Sequence, residues 1–265
     1  MTRLSGADLR DLRFAKDLLE RTSLAIRISN LVGIPIEKGL ELLPKRASML
    51  ITNATRRALQ TALRFALVTL DDQPGERSAD RFHKGLVTAT GAAGGLFGMP
   101  ALAIELPVST TIMLRSIADV ARSEGERIMS PETRLACLQV FALGGRTTSD
   151  DAAESAYFAI RAALARGLAD AAQFMAEKGM AQDGAPAVIR FIVQVAARYG
   201  IVVSEKTAAQ ALPLVGAAGG ALVNALFMDH FQEVARGHFI VRRLERAYDP
   251  ETVRRAYVEE TRHPN

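Results

Sequence analysis

The chain is 265 residues long, 49% of them hydrophobic, with 33 basic and 29 acidic side chains and a net charge of +4. The apolar content excludes disorder, the length is enough for one sizeable core, and a single cysteine, Cys137, excludes an intrachain disulfide framework and multi-cysteine metal sites. Four histidines leave little room for a histidine-rich metal site, and the absence of Trp argues against a base-stacking nucleic-acid platform.

The first residues, Met1 to Asp8, are polar and mixed in charge, so no secretory leader is expected there; a lone thiol suits the reducing cytoplasm. The surplus charge is concentrated early. Residues 1–84 carry 15 basic and 10 acidic side chains, residues 85–228 carry 11 and 12, and residues 229–265 carry 7 and 7.

Helical periodicity runs through the chain, with no alternating run of β-branched residues. The start and stop signals predict roughly a dozen helices in an all-α, single multi-helix domain over 1–265. Residues 1–79 supply N-terminal helices that pack on the remainder. The first informative element lies between Glu41 and Asp71, where no acid occurs but Lys45, Arg46, Arg56, Arg57 and Arg64 do. Arg46, Arg57 and Arg64 fall within about 20° of one another on a helix, opposite Ile51, Ala54, Ala58, Ala62 and Phe65. An all-basic stripe opposite an apolar one suits a helix lying on an anionic membrane surface. It also suits a solvated outer face whose acidic partners come from elsewhere in the fold. Nucleic acid is not expected, for no recognised binding motif occurs.

A loop is predicted at Asp71–Gly75. Beyond it lies the first of two charge-free segments, residues 85–104 and 207–228. Gly91-Ala92-Ala93-Gly94-Gly95 in the first recurs as Gly216-Ala217-Ala218-Gly219-Gly220 in the second. Gly91, Gly94, Gly95 and Gly98 share one narrow helical face, and Gly216 and Gly220 repeat the G-x-x-x-G spacing. Each interior glycine costs a helix about 1 kcal/mol relative to alanine, so close approach of a neighbouring helix is expected to offset it. The segments are long enough to span a bilayer but too rich in glycine to do so comfortably. Core packing and shallow, reversible membrane insertion both stay open. No phosphate-binding glycine motif is present.

Glu105 is the lone charge between Lys84 and Arg115. A carboxylate there either has a structural role, capping a helix or pairing with an arginine from another helix, or carries a raised pKa and a functional role. Farther along, Ser130-Pro131-Glu132 and Asp249-Pro250-Glu251 read as helix N-caps followed by proline at the first helical position. Thr148 and Asp151 have capping-box spacing, and loops are predicted at Gly144–Thr148 and Lys178–Pro186. The stretch from Asp229 to His238 invites an acid–base reading through Asp229 and His230. On one helix, however, His230 and His238 stand about 12 Å apart along the axis, too far to share a metal ion. Cys137, inside Leu135-Ala136-Cys137-Leu138, reads as a small core residue.

Several blocks resemble one known family. They run from Gly91-Ala92-Ala93-Gly94-Gly95 through Glu105-Leu106-Pro107 to Met113-Leu114-Arg115-Ser116-Ile117-Ala118, and include Val140–Gly145 and Glu154–Arg161. The most telling block is Val203-Ser204-Glu205-Lys206 through Pro213, Gly216–Gly220, Asn224 and Phe227–Phe231, continuing into Ala235–Arg246. Together they are similar to the EcsC protein family over most of residues 80–250. The resemblance implies a helical protein, with a family name taken from a gene beside an ABC transporter and membrane association suspected for some members. It implies no cofactor, metal or catalytic residue.

The reading with which the sequence leaves us is a non-enzymatic cytoplasmic protein, peripheral on the inner face of the membrane and accessory to an envelope or transport process. Its partners would be anionic lipids or a membrane protein complex, with Arg46, Arg57 and Arg64 at the headgroups. A hydrolase-type enzyme built on Glu105 or Asp229/His230, and a soluble interaction scaffold, are the alternatives.

Overall fold

Ten α-helices and no strand occur among the residues described by the computed structural model, which are 4–20, 23–33, 35–44, 46–65, 102–145, 156–178, 185–211 and 216–260. In chain order they are α1 (Gly6–Glu20), α2 (Leu24–Val32), α3 (Ile36–Glu41), α4 (Ala47–Phe65) and α5 (Leu102–Ser123). There follow α6 (Pro131–Leu143), α7 (Ala156–Lys178), α8 (Pro186–Ala211), α9 (Gly216–Tyr248) and α10 (Pro250–Glu259). The all-α expectation therefore holds. The predicted loop at Asp71–Gly75, the Thr148/Asp151 pair and the glycines Gly91, Gly94, Gly95 and Gly98 lie outside the described residues.

Local chemistry sets the helix ends. Ser130 caps α6 by accepting a hydrogen bond from the Thr133 amide at 3.1 Å, with Pro131 opening the helix. Asp249 does the same for α10, accepting from the Thr252 amide at 2.9 Å ahead of Pro250. At the end of α2, Gly33 adopts φ 70°, a left-handed stop that its missing Cβ permits, and its amide returns to the Ser29 carbonyl.

The long helices α8 and α9 are the hubs. Helix α8 packs on α2, α3, α4, α6, α7 and α9, and α9 packs on α1, α2, α5, α6, α8 and α10. Helix α6 is buried from Thr133 to Leu143, as expected of a helix with neighbours on every side. Where α6, α8 and α9 meet, Phe141, Tyr199, Phe227 and Phe231 form an aromatic cluster, with Phe141 centred 4.7 Å from Tyr199 and 5.1 Å from Phe231. Tyr199 places its hydroxyl 2.9 Å from Thr110 Oγ1 on α5, so its polar tip is satisfied inside the core. Cys137 is buried in α6, and burial pushes its thiol well above the ordinary range, in keeping with an inert packing role. Helix α8 is long and apolar enough to cross a membrane by length and composition. Six neighbouring helices and a fully buried lysine, Lys206, mark it as a core helix here.

Candidate functional site

Helix α4 is a regular amphipathic helix whose two faces have separate destinations. Ile51, Ala58, Leu59, Ala62 and Leu63 are buried against α5 and α8, while Arg46, Arg56, Arg57 and Arg64 are exposed. The apolar stripe seen in the sequence is therefore taken up by the protein's own core and is not offered to lipid. The basic stripe remains on the outside. At the start of α4, Met49 and Leu50 are also exposed, as are Leu40 and Leu42 just before it.

The isolated acid of the sequence, Glu105, sits in the first turn of α5 and is buried. Lys206 from α8, fully buried, donates to Glu105 Oε1 at 2.6 Å, and Asn224 Nδ2 from α9 donates to the same oxygen at 3.2 Å. The ammonium also lies 4.9 Å from the centre of the Phe227 ring, a favourable cation–π position. Pairing was among the expected fates of this carboxylate. The partner is a lysine and not the expected arginine, and it lies about a hundred positions away in the chain.

Asp229 and His230 fall on α9. His230 is buried and donates its Nε2 proton to the Gly144 carbonyl at 2.9 Å, at the end of α6. Glu233, one turn on, accepts from Arg27 of α2 at 2.9 Å. Of the second glycine motif, Gly216 opens α9 and Gly220 is buried within it. Close helix approaches among the described residues run through glycines that the sequence reading did not single out. A Cβ at Gly39 would reach within 2.8 Å of the Ala208 carbonyl carbon, and one at Gly237 would come within 2.8 Å of the Ala15 carbonyl oxygen. These seat α3 on α8 and α1 on α9.

Sequence reasoning missed a polar network between α7 and α9. Arg161 makes a two-pronged ion pair with Glu245, at 2.7 and 2.9 Å, and also donates to the Tyr157 hydroxyl at 3.3 Å. That hydroxyl lies 2.9 Å from His238 Nδ1. His238 is fully buried, and its Nε2 has no hydrogen-bond partner among the described residues. Burial first, then the Arg161 and Arg242 cations, hold its pKa well below the usual histidine range, so the ring is neutral. Arg242 in turn is held by Glu126 and Glu132. Arg161, Arg242, Glu245 and Arg254, together with Phe158 and Leu168, line a cleft of about 650 Å³. Neither Glu105 nor Asp229 nor His230 lines it. The signal available in the sequence was the i, i+3 pair Arg242 and Glu245, but nothing local tied it to Tyr157 or Arg161. Among the described residues, no group of three or more His, Cys, Asp or Glu side chains is placed to hold a metal ion.

The EcsC protein family matches the chain over residues 13–244. That stretch is well over half of the 265 residues, and the chain belongs to the EcsC protein family. No curated protein and no solved structure matches it.

Proposed function

We propose that this member of the EcsC protein family is a non-enzymatic protein that docks reversibly on an anionic membrane surface. The surface is the inner face of the cytoplasmic membrane, and the protein serves an envelope or transport process there. The observation that carries this reading is the outward face of α4, where Arg46, Arg56, Arg57 and Arg64 are exposed along a stretch that contains no acid between Glu41 and Asp71. Each cation near such a surface contributes about 1 kcal/mol at low salt, so four act together as a useful but reversible attraction. The use of Glu105 in an ion pair and of His230 in a bond to a carbonyl supports the non-enzymatic reading, since both side chains already have structural partners.

Cosedimentation with phospholipid vesicles tests the proposal. The protein is expected to pellet with vesicles containing about a third phosphatidylserine, to ignore pure phosphatidylcholine, and to be released by about 0.5 M salt. The Arg46→Glu/Arg57→Glu/Arg64→Glu triple variant should bind at least tenfold more weakly. Wild type that ignores anionic vesicles, or a triple variant that binds unchanged, overturns the proposal.

A further inference from the structure

We infer that the corner where α3 turns into α4 is a lipid-inserting wedge. Leu40, Leu42, Met49 and Leu50 enter the acyl boundary of an anionic phospholipid bilayer while the arginines of α4 hold its headgroups. The inference rests on the docking proposal and names the part of the molecule that enters the membrane.

Twelve large hydrophobic side chains are exposed among the described residues, and four of them fall within the eleven residues 40–50. Met49 is 71% exposed, Leu42 57%, Leu50 55% and Leu40 41%. A scattering of single exposed apolar residues is ordinary, but four within eleven residues where two helices meet point to a contact surface.

The local geometry keeps this corner at the surface. The turn is closed by bonds from the Leu42 amide to the Gly39 carbonyl, the Leu43 amide to the Leu40 carbonyl and the Ala47 amide to the Pro44 carbonyl. Gly39 is pressed against the backbone of Ala208, which seats α3. On α4, Met49 lies on the side opposite Ala47, Ile51, Ala58 and Ala62, which are buried, and Leu50 lies beside the arginine face, about 60° from Ala47. Rotating the helix to hide Met49 would expose the buried set.

Charge selects the occupant. Residues 37–64 hold six basic and two acidic side chains, Glu37 and Glu41 being the acids, so the segment that carries the wedge has a net charge of +4. Leu50 shares its arc with Arg57 and Arg64, which stand about 10 and 21 Å farther along the axis. A helix lying near the membrane plane with its first turn dipped therefore brings those guanidinium groups to headgroup level while Met49 and Leu50 reach the acyl boundary.

The chain has no tryptophan, so one introduced indole is a unique reporter. Leu42→Trp and Met49→Trp, each made singly, should show a blue-shifted emission and strong quenching by brominated phosphatidylcholine in phosphatidylserine-containing vesicles. Val193→Trp, exposed on α8 about 22 Å along that helix from Ala208, should show neither change. The Leu42→Ser/Met49→Ser variant, checked for helical content by circular dichroism, should lose at least tenfold in vesicle affinity at constant charge. Three outcomes overturn the inference. Failure of the wild type to sediment with anionic vesicles removes it together with the docking proposal. Normal sedimentation with unshifted, unquenched reporters at positions 42 and 49 removes the wedge alone. A blue shift without lipid, accompanied by a dimer in sedimentation velocity, makes the corner an interface between two copies of the chain.

Discussion

Lys206 Nζ and Glu105 Oε1 lie 2.6 Å apart, with the lysine side chain entirely buried and the carboxylate nearly so. The pair joins α8 to α5, and Asn224 ties it to α9, so three helices converge on one carboxylate oxygen. Desolvating two charges offsets much of their attraction, so such a pair acts mainly by penalising any packing in which one partner is left alone.

Lys206→Met should therefore cost about 3–5 kcal/mol of unfolding free energy, because it strands a buried carboxylate. Adding Glu105→Gln in the same chain should restore most of that loss. Urea denaturation of the wild type, both single variants and the double variant measures the coupling. Additive losses would show that the two residues do not act as a pair.

A pH dependence of one sign comes from Glu205 on α8. Burial, and then the charge of Glu37, raise its carboxyl from an ordinary 4.5 to about 7. Between those values the folded state holds a proton that the unfolded state has released. This contribution is thus complete below pH 4.5 and is lost as pH rises through 7. Glu205→Gln should gain stability over wild type at pH 8, by about 2 kcal/mol, and little at pH 4.5. Denaturation midpoints at the two pH values decide it.

His238 contributes the opposite sign. Its pKa is depressed by burial and by Arg161 and Arg242, so the unfolded chain takes up a proton below the ordinary 6.5 while the folded chain does not. Stability from this residue is present above pH 6.5 and falls as pH drops, by up to ~1.4 kcal/mol per unit. Between pH 4.5 and 6.5 the Glu205 and His238 slopes oppose each other. The His238→Gln variant should lose stability with rising pH more steeply than wild type in that window. Equal slopes in the two proteins would show that His238 titrates normally.

Two glycines in helix interiors should respond to alanine with opposite signs. Gly200 on α8 has open space where a Cβ would go, so Gly200→Ala should stabilise by up to about 1 kcal/mol. At Gly237 a Cβ would come within 2.7 Å of Leu19 Cγ and 2.8 Å of the Ala15 carbonyl oxygen. Gly237→Ala should lose about 1–3 kcal/mol as α1 is displaced from α9. Thermal denaturation of the two variants reads both signs.

The all-α class, the Ser130 and Asp249 caps, the outward basic face of α4 and the family were all legible before the fold was known. The family rests on blocks spread over most of the chain, but the others each rest on residues within a few turns of one another, where backbone hydrogen bonds and the 3.6-residue period dictate which side chains share a face. Glu105 could be recognised as needing a partner for the same reason, because its own neighbourhood supplies no cation. The sequence by itself could not choose Lys206, because nothing local orders residues a hundred positions apart. Nor could it say that α4 spends its apolar stripe on α5 and α8, that Gly39 and Gly237 bring helix backbones close together, or that Tyr157 and Arg161 meet His238 and Glu245. Those outcomes were decided by tertiary structure alone, since they depend on which helix faces pack together, and that is settled by burial summed over the whole core.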